Sequence, residues 1–99
     1  MKLEQILELV RRRDIEKLAE ILYGDSLDVV RKYDMFPVDV VRDAVEEIVK
    51  MIGVDADVFT DCPPYVDEDC RIAIVKDGRA FVSRLSQLDV DSLRRFLQS

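Results

Sequence analysis

Through residue 53 the apolar positions recur every three or four residues, and beyond it they mostly alternate. Leu3, Ile6, Leu7 and Val10 mark one face of an amphipathic helix over about residues 2–12. Arg11, Arg12 and Arg13 follow where cations favour a helix C-terminus. Asp14 is placed to cap a second helix with the stripe Ile15, Leu18, Ala19 and Leu22, ended by Gly24. Asp25 or Ser26 then caps a short third helix carrying Leu27, Val30 and Tyr33. Pro37 breaks the pattern after Phe36, and Asp39 is the expected N-cap of a fourth helix. That helix runs to about Met51, with Val41, Ala44, Val45, Ile48 and Ile52 inward and Gly53 as its stop.

Beyond Gly53 the period falls to two. Residues 56–60 read as a short strand, and Pro63 and Pro64 exclude regular structure in the loop that follows. Asp77-Gly78 between two β-rich runs is the signature of a type I′ hairpin. A two-residue loop there pairs Lys76 with Arg79, Ile74 with Phe81 and Ile72 with Ser83. One hairpin face is then Ile72, Ile74 and Phe81, ending at a basic tip; the other is Ala73, Val75, Ala80 and Val82. Asp89 or Asp91 caps a last helix bearing Leu93, Phe96 and Leu97. No repeat or linker interrupts residues 1–99, so the expectation is one α+β domain: an N-terminal helical bundle, a C-terminal β-hairpin and a terminal helix.

Composition narrows the chemistry. Ninety-nine residues, 48% hydrophobic and 36% charged, suit a single core. The longest apolar run is Ile72–Val75, too short for a membrane span or a signal peptide, which makes a cytoplasmic protein the default expectation. Without histidine there is no His-based acid–base catalysis, no Ser-His or Cys-His pair and no His-ligated metal. Cys62 and Cys70 supply two of the four ligands a zinc site needs, and in a reducing cytosol free thiols are expected. Asp55-x-Asp57 begins like a calcium loop, but counted from Asp57 the required glycine is Cys62; a solvated acidic loop is expected instead. The three glycines are isolated, so none forms a phosphate loop. The expectation is therefore a non-enzyme with no metal, no cofactor and no evident small-molecule ligand.

The net charge of −6 is uneven. Residues 54–70 carry six acids and no base, whereas residues 71–99 carry six bases against three acids. An acidic total disfavours non-specific nucleic-acid binding, although a local basic surface can still contact phosphates.

Three short helices followed by a hairpin is the element order of the winged helix-turn-helix family. The resemblance is strongest over residues 26–53 and the hairpin at 71–84. The stretch Met35-Phe36-Pro37-Val38-Asp39-Val40-Val41-Arg42-Asp43-Ala44-Val45 resembles that family's turn and the start of its recognition helix, with Phe36, Asp39, Val41 and Ala44 at the patterned positions. Arg31, Asp34 and Met35 depart from the pattern, and a rival register would pair residues 14–23 with 26–34. Residues 71–97 are also similar to the C-terminal hairpin and helix of thioredoxins, but Cys70 stands where that family has a cis-proline and no Cys-x-x-Cys is present.

The winged-helix resemblance implies a regulator that binds double-stranded DNA, with the fourth helix in the major groove and the hairpin as a wing. Arg42 would then reach a base edge, and Lys50 is the second base on that helix's outward face. Lys76 and Arg79 at the tip, with Arg71 and Arg84 near its base, would contact phosphates, joined by Arg11, Arg12, Arg13, Arg31 and Lys32. Asp39, Asp43, Glu46 and Glu47 share the helix's outward face, a poor match to phosphate. The alternative is a non-catalytic protein-interaction or dimerisation module. It rests on that acidic face, on Val38 and Val40 left exposed at the helix start, and on a hairpin apolar on both faces. The terminal helices, with Leu3, Ile6, Leu7 and Val10 at one end and Leu93, Phe96 and Leu97 at the other, would cover those faces within one chain or across a homodimer.

Overall fold

A computed structural model describes residues 3–24, 37–62 and 69–99. Within them the order is α1 (Leu3–Arg11), α2 (Ile15–Tyr23), α3 (Pro37–Ile52), β1 (Asp57–Asp61), β2 (Arg71–Lys76), β3 (Arg79–Arg84), a 3₁₀ turn (Leu85–Gln87) and α4 (Val90–Gln98). This is the expected α+β class: helices first, then an antiparallel sheet, then a terminal helix. The expected helix at 26–34 lies outside the described residues, as do Arg31, Lys32 and both helix-turn-helix registers.

The helix boundaries follow from local chemistry. The Asp14 carboxylate accepts from the Lys17 amide at 3.4 Å and caps α2, while Gly24, with φ +62°, closes it by donating to the Glu20 carbonyl. Asp89 caps α4, accepting from the Asp91 amide at 3.3 Å and the Ser92 hydroxyl at 2.7 Å. The hydrogen bond from Ser92 is the main reason its carboxyl is held below the usual carboxylate range. Asp39 is not the cap of α3: the helix begins at Pro37 and Asp39 sits inside its first turn, where an acid still suits the dipole.

The sheet is a three-stranded antiparallel meander in the order β1-β2-β3. The hairpin register is the expected one, with Lys76 opposite Arg79, Ile74 opposite Phe81 and Ile72 opposite Ser83. Asp77 and Gly78 both have positive φ, +53° and +76°, as a type I′ turn requires. The strand expected at 56–60 forms at 57–61 and pairs with the other side of β2, Asp57 opposite Val75 through Asp61 opposite Arg71.

Helices cover one face of this sheet. Val58, Ile72 and Ile74 point into a core shared with Ile6, Val10 and Leu18 of the first two helices, Val41, Val45 and Ile48 of α3, and Leu93 and Leu97 of α4. α3 buries more than one stripe, because it packs against α1 and α2 on one side and β1 on the other. Val40, expected to remain exposed, is therefore completely buried, and Val49 is buried with it. The apolar stripes of both terminal helices are buried in the chain's own core, apart from half-buried Leu3 and Phe96.

Polar contacts fix the layers against one another. The Arg11 guanidinium donates from Nε to the Leu88 carbonyl at 2.8 Å, tying α1 to the turn before α4. Thr60 Oγ1 donates to the Val38 carbonyl at 3.3 Å, joining β1 to the start of α3. The Tyr23 hydroxyl donates to the Asp43 carboxylate between α2 and α3.

Candidate interaction surface

Strand alternation sends the residues between the core positions to the opposite face of the sheet, where they form a three-by-three grid. Asp57, Val75 and Ala80 lie side by side near the hairpin turn; Phe59, Ala73 and Val82 form the middle row; Asp61, Arg71 and Arg84 form the row at the far end. Nothing among the described residues covers the middle row: Phe59 is 59% exposed and Val82 69%. The hairpin is apolar on both faces, as expected, but the helices among the described residues cover only one.

A disulfide closes the end of this grid. Cys62 follows β1 and Cys70 precedes β2, so extending the pairing one step beyond Asp61–Arg71 places them opposite each other, with Cα atoms 4.3 Å apart. They form a disulfide rather than the free thiols expected, because the strand pairing brings the two Cβ atoms within reach. The Asp69 carboxylate accepts from the Ser86 amide at 3.1 Å, and the Leu85 amide donates to the Cys70 carbonyl at 2.8 Å, so β2 enters the sheet with its position fixed.

The residues expected to meet DNA are distributed differently. Lys76 and Arg79 lie on the same side of the hairpin as Ile74 and Phe81 and therefore project over α4 instead of forming a free tip. Lys76 Nζ donates to the Leu97 carbonyl at the end of α4. Arg79 donates to the Ser99 carbonyl at 3.2 Å and to its hydroxyl at 3.1 Å, and its guanidinium lies 5.3 Å from the centre of the Phe96 ring. Phe96 in turn packs on Phe81, ring centres 5.7 Å apart. Two cations on the last carbonyls of a helix are a C-cap that also complements the helix dipole.

On α3, Arg42 pairs with Asp39 at 3.5 Å. It lines an open groove of about 500 Å³ between the start of α3 and β1, together with Asp39, Asp43 and Glu46. Lys50 is exposed near the other end of the helix. The structure thus joins Lys76 to Arg79 but holds both against α4, and it sets Arg42 among acids. The sequence pattern assigns no site role to the exposed Phe59, whereas it places Arg71 and Arg84 near the base of the basic hairpin, where they lie. The alternation of residues 57–61 was the signal for Phe59, which falls outside the core set by one position. Arg71 and Arg84 are directly opposite each other, and neither guanidinium enters an ion pair among the described residues.

Among the described residues no group of three Cys, Asp or Glu is arranged to hold a metal, and no helix is long and apolar enough to cross a membrane. Comparison with protein-family models, with curated proteins and with solved structures finds no match for this chain.

Proposed function

We propose that this chain is a non-catalytic protein-interaction module that binds through the outer face of its sheet. The observation that carries this reading is the row Phe59–Ala73–Val82 on a disulfide-closed sheet, with Phe59 and Val82 exposed. An aromatic and a β-branched side chain exposed on either side of a small alanine favour burial against another apolar surface. The acidic face of α3 and the engagement of Lys76 and Arg79 with α4 remove the strongest supports for groove docking.

A polarity-sensitive naphthalene sulfonate dye tests the proposal. The folded chain should enhance its fluorescence, and Phe59→Ser with Val82→Ser should abolish the enhancement while leaving the far-ultraviolet circular dichroism unchanged. Undiminished dye binding by the double variant would place the apolar surface elsewhere.

Double-stranded DNA binding by a winged-helix regulator remains a second reading, favoured by one observation: Arg71 and Arg84 stand directly opposite each other at the end of the sheet, with no ion pair to either among the described residues. Anisotropy of a labelled mixed-sequence duplex at about 50 and 200 mM salt separates the two readings, since phosphate contacts weaken over that range. Binding that collapses between those concentrations and is lost in Arg71→Ala with Arg84→Ala would support the DNA reading. A cytoplasmic location is likewise a proposal, and the disulfide narrows it to a cytosol in which such bonds persist.

A further inference from the structure

The outer grid has a charge pattern that is complementary to itself. Two sheets that stack face to face as an isologous pair can be related by a two-fold axis across the strands or along them. An axis across the strands, through the middle row, sets Phe59 on Phe59 and places Asp57 over Asp61 of the second copy, twice. An axis along β2 lays β1 of each copy over β3 of the other. Phe59 then meets Val82, with the small Ala73 at the centre leaving room for the ring, and Asp61 meets Arg84; each of these contacts occurs twice. Arg71 falls on the axis and faces its own copy, with Asp61 as its cross-strand neighbour on one side. Like charges brought together are unfavourable and opposite charges favourable, so the second arrangement is selected.

We infer that the partner of the outer face is a second copy of this chain, docked sheet to sheet about a two-fold axis along β2. This inference rests on the interaction-module reading and specifies its partner. Three strands about 4.8 Å apart and five residues long present roughly 250 Å² of projected sheet. That is well below the roughly 800 Å² per partner of a standard interface. The dimer is therefore reversible, with a dissociation constant of about 1 µM or weaker.

Sedimentation equilibrium on the intact disulfide-bonded chain tests this. The wild type should dimerise, and Val82→Lys should weaken the dimer at least tenfold. Asp61→Arg places Arg over Arg84, and Arg84→Asp places Asp over Asp61, so each variant alone should dimerise at least tenfold more weakly. Mixed in equal amounts, the two should recover a heterodimer, because each altered charge then faces its opposite. Asp61→Arg that dimerises more tightly than wild type overturns this axis, because it matches the arrangement across the strands. A wild type that remains monomeric up to roughly 1 mM overturns self-association. In that case, dye binding lost on Phe59→Ser with Val82→Ser would leave the interaction-module reading standing with a different partner, whereas a monomer without dye binding would remove both.

Discussion

The two faces of this small sheet are built from almost the same residue types, yet they contribute in different ways. On one face Val58, Ile72 and Ile74 are sealed beneath helices; on the other Phe59 and Val82 face solvent with half-buried Ala73 between them. The apolar alternation that makes a strand is therefore not evidence that both faces are covered. Burial is decided by how many amphipathic helices the chain supplies. Among the described residues the helical stripes are spent on one side of the sheet.

The sharpest test of this contrast is a pair of truncations. Ile74→Ala should destabilise the fold by about 2–5 kcal/mol, whereas Val82→Ala should fall within about 0.5 kcal/mol, both read by urea unfolding. Equal effects would mean that the outer face is covered in the free chain. Next in size is the disulfide joining β1 to β2. Replacing Cys62 and Cys70 by Ser should cost about 2–3 kcal/mol, the magnitude expected for so short a closed loop. The same measurement under reductant should reproduce it for the wild type and leave the variant unchanged.

A smaller effect tests how the inner cover is held in place. Lys76→Ala with Arg79→Ala removes the contacts to the end of α4 and should lower stability by about 1–2 kcal/mol. Duplex binding, where any is measured, should not depend on these two residues. The smallest effect concerns the helical layer behind α3. Burial, reinforced by the hydrogen bond to Asp43, raises the Tyr23 phenol well above its ordinary value. A raised folded value means that its contribution is complete below about pH 10 and is lost as the pH rises through the higher folded value. Tyr23→Phe should cost about 1 kcal/mol at neutral pH and flatten that alkaline loss, measured by unfolding at stepped pH.

What could be read from the sequence was local. The Asp77-Gly78 turn and the alternation on either side specify the hairpin and its register without reference to the rest of the chain, and the Asp14 and Asp89 caps are equally short-range. What escaped depends on neighbours distant in sequence. The burial of Val40 and Val49 follows from wedging α3 between two helices and a strand, whereas a single-stripe reading assumes one neighbour. The disulfide becomes evident only once β1 is known to pair with β2, and an argument from compartment pointed the other way. The site fared worst. Alternation already placed Lys76 and Arg79 on the core side with Ile74 and Phe81, but charge beside a turn was read as a free tip. Phe59 was passed over because nothing in the local pattern says which residues a covering helix will miss.

The clamp between the hairpin turn and the last helix also bears on the order in which the molecule assembles. A nine-residue helix lies below the length, roughly 12–15 residues, at which an isolated helix holds in water. The hairpin has a tight local turn and closes on a microsecond scale without help from the rest of the chain. α4 is thus set to follow the hairpin that presents Lys76 and Arg79 to its final carbonyls, just as α1 and α2, also nine residues long, depend on the core they pack into. Native-state hydrogen exchange should show this dependence, with the amides of α4 exchanging before those of β2.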